Sequence, residues 1–165
     1  MINLLERVIG MQPKVVVFVD CDGVLNSDEF AKYCLEEEGY NPFEWGDLDP
    51  RAIRNLKRIV DETSANIVLS SSWRWEPIAL NTVKKQLKTY GLELYDTTII
   101  NITKTLSRTE EIKLYLDEHP SITKYVILDD DEIKEPLKDH WVRCLFKNGL
   151  TKKLADEAIK ILKEK

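Results

Sequence analysis

The chain has 165 residues, 43% of them apolar, and a formal net charge of −5. That length and apolar content suffice for one globular domain with its own core, and they exclude a disordered chain. The acidic balance excludes a basic field for broad nucleic-acid or membrane binding, while leaving room for a local cationic site that takes a phosphate.

The first 14 residues carry Glu6 and Arg7 inside an apolar stretch, which argues against a signal peptide. Residues 15–20 are a short valine-rich run that suits a strand buried on both faces. Residues 26–48 read as irregular, a small flap holding Phe30, Tyr33, Phe43 and Trp45. Asp49 and Pro50 form an N-cap and first-turn pair, followed by Ala52, Ile53, Leu56, Ile59 and Val60 at helical spacing. Residues 67–69 are a second buried strand ending in Ser70-Ser71-Ser72. A helix follows over about 76–90, closed by Gly91, and residues 94–100 read as a third strand. Ser107 and Glu110 form a capping-box pair before Ile112, Tyr115 and Leu116. Residues 125–128 make a fourth strand ending in three aspartates, and residues 141–146 a fifth at an edge. Thr151 caps a last helix with Leu154, Ala158 and Leu162 on its buried face.

Strands alternating with helices predict an α/β fold: a doubly wound, Rossmann-like parallel sheet of about five strands with helices on both faces. The expected organisation is one domain over 1–165 with the flap at 26–48 and no separate cap domain, because 26–48 is too short to fold alone. Such sheets bind ligands beyond the carboxyl ends of their strands. Three predicted strands end in DCD, SSS and DDD, so Asp20, Asp22, Asp129 and Asp130 gather at one edge. Two carboxylates 4 Å apart repel by about 4 kcal/mol at an effective dielectric of 20. A hard divalent cation relieves that repulsion, and Mg²⁺ prefers one or two carboxylates with waters and a phosphate oxygen. Metal, carboxylates and hydroxyls together suit phosphoryl transfer.

Here the sequence resembles a family. DCDGVLN, residues 20–26, is similar to the first motif of the haloacid dehalogenase (HAD) superfamily of phosphatases. IVLS, residues 67–70, resembles its second motif, and VILDD, residues 126–130, its fourth. LSSSWR (69–74), RTEEI (108–112), ILDDD (127–131) and NGLT (148–151) together resemble the small HAD domain of Swiss Army Knife RNA repair proteins. The resemblance implies that Asp20 is the nucleophile, forming an aspartyl-phosphate, and that Asp22 is the general acid and base. It implies Mg²⁺ bound by Asp20, the backbone carbonyl of Asp22, and Asp129, with Asp130 close by. Ser70 would hold a phosphate oxygen, helped by Ser71. The third motif needs a cation, for which Arg108 is the first choice and Lys104 the second. Trp73 and Arg74 follow the second motif directly and are candidate substrate-binding residues; the alternatives are core packing for Trp73 and pairing with an acid near the site for Arg74.

The implied function is a Mg²⁺-dependent phosphatase acting on a terminal phosphate of a nucleic acid or nucleotide, as in RNA repair. Two alternatives stand beside it: a small-molecule phosphomonoesterase, and a non-catalytic metal- or phosphate-binding module. Phospho-receiver domains also cluster acids with a serine and a lysine, but their first acids are adjacent, whereas here Cys21 separates them. Cys21 should point to the opposite face, into the core. Three cysteines without metal-ligand spacing, and no window long enough to span a bilayer, fit reduced thiols in a cytoplasmic protein with no membrane partner. His119 and His140 read as surface residues, and Glu36 to Glu38 as a solvated helix face.

Overall fold

The computed structural model describes residues 12–98 and 105–164. Its centre is a five-stranded sheet, β1 (Val15–Val19), β2 (Asn66–Leu69), β3 (Leu94–Thr97), β4 (Lys124–Asp129) and β5 (Trp141–Arg143), in the order β3-β2-β1-β4-β5. Every pairing is parallel. Val16 to Val19 are fully buried because β1 lies in the middle of the sheet and is covered on both faces.

Side chains alternate between the two faces of each strand. Val17, Val19, Ile67, Leu69, Val126 and Leu128 pack into one core. That core also takes the apolar stripes of three helices: α3 (Pro50–Thr63), α4 (Pro77–Thr89) and α6 (Lys152–Glu164). Val16, Phe18, Val68 and Ile127 form the other core, under α5 (Arg108–Glu118), the helix that the described residues place there, and the loop that carries Ile133 and Leu137. The sheet is therefore doubly wound, as the alternating pattern predicts. The predicted caps form: Asp49 accepts from the Arg51 amide, Ser107 and Glu110 close a reciprocal box, and the Thr151 hydroxyl accepts from the Leu154 amide.

Three expectations need correction. The flap is helical rather than irregular. Ser27 caps α1 (Asp28–Tyr33), a π-type turn follows over Cys34–Glu38, and Asn41 caps α2 (Pro42–Trp45). These pieces are too short to show a helical period, and their side-chain caps replace that signal. Of the flap's four aromatic residues Phe30 is buried, and Tyr33, Phe43 and Trp45 are exposed. His119 is buried, stacked on the Tyr115 ring at 3.9 Å with its Nδ1 2.7 Å from the Tyr115 carbonyl oxygen. His140 is half-buried and stacked on Tyr125 at 4.0 Å. The third and fifth strands stop sooner than expected, at Thr97 and Arg143. The far end of the expected third strand, residues 99 and 100, lies outside the described residues.

The flap is tied down by the turn over residues 145–149. The Asp28 and Glu29 amides donate to the Phe146 and Lys147 carbonyls, and the Leu150 amide donates to the Val24 carbonyl. Asn148 donates to Glu29 at 2.7 Å. Gly149 has φ +68, and a Cβ there would lie 2.8 Å from the Val24 carbonyl oxygen. Backbone meets backbone at that point, so neither side can yield. Gly149→Ala is expected to destabilise the fold by about 2 kcal/mol, combining left-handed strain with the clash. Its thermal midpoint should fall by about 4–8 °C in a melt followed by circular dichroism.

Candidate functional site

Register brings the three strand endings level. Val19 pairs with Leu69 on one side and Leu128 on the other. The next residues, Asp20, Ser70 and Asp129, therefore emerge together at the carboxyl edge, and the Asp20 amide donates to the Leu128 carbonyl at 3.1 Å. Strand order reverses between β1 and β4 here, the place where such sheets leave a crevice.

Asp20, Asp129 and Asp130 have carboxylate oxygens within 4.8 Å of one another. Asp20 and Asp129 are buried, and Asp130 is half-buried. Gly23 has φ +78, and a Cβ on it would meet the Asp130 carboxyl carbon at 2.6 Å, so glycine lets the first loop close onto that acid. Burial, reinforced by the charge of Asp20, pushes Asp129 up to about 7. Burial and then Asp20 and Asp131 push Asp130 up to about 6. Asp20 is also raised, mainly by burial, against the pull of Arg108.

Arg108, the first residue of α5, answers part of this charge. Its Nε lies 2.9 Å from Asp129 Oδ2 and its Nη2 lies 3.7 Å from Asp20 Oδ2. Burial works against the guanidinium charge, but Asp129, Asp20 and Glu111 outweigh it and raise its proton affinity. Glu111, one turn further on, pairs with Arg108 Nη1 at 3.0 Å and with Arg74 Nη2 at 2.9 Å. Arg74 cancels Glu111, Arg108 offsets one of the three clustered carboxylates, and with all three ionised two negative charges remain. The donor set is all carboxylate oxygen and the residual charge equals that of one divalent ion, so these residues fit a hard divalent cation.

The other candidates take distinct places. Asp22 does not join the cluster with its carboxylate. Asn26 Nδ2 donates to its Oδ1 at 2.8 Å, and Trp73 Nε1 donates to its Oδ2 at 3.0 Å. Asn26 also accepts from the Gly23 amide at 3.0 Å, which closes the loop around Asp22. The Ser70 hydroxyl is fully buried and has no hydrogen-bond partner among the described residues. Such a group calls for a ligand or an ordered water. Ser71 caps the short 3₁₀ turn Ser72–Trp75 by accepting from the Trp73 amide. Arg74 lies beneath the site, its guanidinium donating to the Ser70 and Ser71 carbonyls at 2.8 and 2.6 Å. It also pairs with Glu111, an acid near the site, and so braces the second motif. Lys104 lies outside the described residues. Cys21 is buried in the core, where burial raises its thiol well above the ordinary range.

Sequence reading missed Glu111 and Asn26. Both carried a local signal: Glu111 is three residues from Arg108 on one helix face, and Asn26 is four residues beyond Asp22. Neither signal separates a partner of the site from an ordinary surface residue until the other side of the pair is placed.

The family model described as the HAD domain in Swiss Army Knife RNA repair proteins matches residues 16–155. The chain belongs to that family. A search of curated proteins and a search of solved structures give no match. The family is one of phosphatase-type function that generally uses a divalent metal, and this chain has the buried acidic cluster to hold one. No helix among the described residues is long and apolar enough to cross a membrane.

Two outcomes follow. Asp129 and Asp130 hold protons in the fold that the unfolded chain releases near 3.8. The folded state is therefore favoured at low pH and loses that advantage as pH rises through about 6 and 7. In chelator the thermal midpoint should fall between pH 5 and pH 8, and added Mg²⁺ should raise it more at pH 8 than at pH 5. Asp129→Asn should remove most of both effects. Separately, Glu111→Ala leaves two buried guanidiniums without their shared acid, and urea denaturation should show a loss of about 3–5 kcal/mol.

Proposed function

We propose that this chain is a Mg²⁺-dependent phosphatase that works through an aspartyl-phosphate and removes a terminal phosphate from a nucleic acid or nucleotide. The observation that carries the proposal is the division of labour between Asp20 and Asp22. Asp20 sits in the acidic cluster beside Arg108, while Asp22, two residues on, is held away from the cluster by Asn26 and Trp73. A nucleophile beside the charge-neutralising groups and an acid facing outward are what an in-line displacement on phosphorus requires.

In this reading an Asp20 carboxylate oxygen attacks phosphorus as the bond from phosphorus to the leaving oxygen breaks. Asp22 donates its proton to that oxygen. A water then attacks the aspartyl-phosphate and gives a proton to Asp22, which frees phosphate and restores both acids. Arg108 stabilises charge on the phosphoryl oxygens, and the Ser70 hydroxyl donates to one of them. Asp20, Asp129 and Asp130 would hold the metal, with the Asp22 carbonyl. When bound, Mg²⁺ supplies positive charge that offsets the negative charge of the phosphoryl group. Glu111 keeps Arg108 aimed at the cluster, and Arg74 keeps the second motif's carbonyls in place.

A catalytic reading fits better than a phosphate-sensing one because of Asp22. A general acid serves turnover of an ester and has no use in simple binding. The family description supports RNA ends as substrates, and a cytoplasmic place accords with three unpaired, buried cysteines.

Phosphate release from a 3′-phosphorylated oligonucleotide in the presence of Mg²⁺ tests the reading. The wild type should turn over. Asp20→Asn should abolish release and Asp22→Asn should slow it strongly, while Arg108→Ala should cost on the order of 10²–10³ in kcat. Asp20→Asn with undiminished turnover would remove the nucleophile assignment.

A further inference from the structure

Beside Asp22 opens a groove of about 610 Å³, within the range of about 300–1,000 Å³ typical of small-ligand sites. The flap supplies one wall with Phe43 and Trp45, and the segment after β2 supplies the other with Trp73 and Ile78. Gly46 seats the flap: a Cβ there would lie 3.6 Å from Thr82 and 3.8 Å from the Trp73 ring. Trp45 is 72% exposed and Ile78 is 77% exposed, large apolar surfaces with no covering partner among the described residues. The charged residues that line the groove are Asp22, Glu44 and Glu76, all acidic.

We infer that this groove seats the leaving group, and that the leaving group is a single nucleoside. The inference rests on the phosphatase reading, because it takes Asp22 as the acid that protonates the leaving oxygen. Whatever is bonded to that oxygen must then extend from Asp22, and the groove begins there. Aromatic walls favour a flat ring system, which stacks on them irrespective of its sequence identity. The Glu44 and Glu76 carboxylates accept hydrogen bonds from sugar hydroxyls or base N–H groups. The described residues that line the groove offer no cation to a following phosphate. The site therefore recognises one phosphorylated nucleoside, whether free or at a strand end, and gains nothing from the rest of a strand.

The test compares kcat/KM for Mg²⁺-dependent phosphate release from nucleoside 2′-, 3′- and 5′-monophosphates, glycerol 2-phosphate and a 3′-phosphorylated hexanucleotide. The best mononucleotide should exceed glycerol phosphate by at least about tenfold, mainly through KM, as one stacked ring provides. The hexanucleotide should do no better than the matching mononucleotide. Trp45→Ala should reduce the nucleotide rate about tenfold more than the glycerol phosphate rate, and Trp45→Phe should restore the preference. Equal rates on glycerol phosphate and every mononucleotide would overturn the inference, as would a hexanucleotide more than tenfold better than its mononucleotide. Hydrolysis of none of these, nor of acetyl phosphate, would instead overturn the phosphatase reading. In that case quenching of tryptophan fluorescence by a free nucleoside decides the groove: saturable quenching lost in Trp45→Ala supports it, and no quenching overturns it.

Discussion

Asp20, Asp129 and Asp130 lie with oxygens within 4.8 Å of one another, two of them buried, and that concentration of like charge conditions everything around it. An uncompensated buried carboxylate is costly, so each must share a proton, a cation or a hydrogen bond. The fold answers with all three. Asp129 and Asp130 are pushed up to about 7 and about 6, Arg108 reaches across to two of the acids, and the Cys21 and Asp131 amides donate to Asp20 and Asp129. What remains is a net negative charge that a divalent cation matches. That surplus is what a hard divalent cation between the three carboxylates would relieve.

That constraint reaches into the layers below. Arg108 cannot face the cluster without something to hold its other side, and Glu111 does so while also holding Arg74. Arg74 in turn donates to the carbonyls of Ser70 and Ser71. A chain of charge-assisted contacts therefore links the start of α5 to the end of β2, above the core that Val68 shares with Ile112 and Tyr115. Such contacts are shorter and stronger than neutral ones when buried. Along α5 the roles divide: its first turn, with Arg108 and Glu111, serves the site, and its later residues Ile112 and Tyr115 serve the core.

The flap has a different logic. It is anchored at its base by the turn over 145–149 and rests at its tip on Trp73 and Thr82, so it walls the site without forming a lid of its own. Trp73 belongs to both parts. Its indole N–H restrains Asp22 and its ring lines the groove, which couples the position of that carboxylate to the groove wall.

Much of this was legible in the chain. The valine run of β1, the caps at Asp49, Ser107 and Thr151, and the alternation of strand and helix determined a doubly wound sheet, because those signals act over a few residues and burial on both faces of a strand leaves a continuous apolar run. The strand-ending acids and serine determined which residues meet at the edge, since parallel strands must open on the same side. The anchoring of the flap's base was decided by contacts with residues 145–149, more than a hundred positions from Asp28 and Glu29. The selection of Arg108 to meet Asp20 and Asp129, the bridging role of Glu111 and the withdrawal of Asp22 towards Asn26 and Trp73 were likewise decided by tertiary structure. Charge pairing depends on distance in space, and sequence spacing carries that distance only within a single helix or strand.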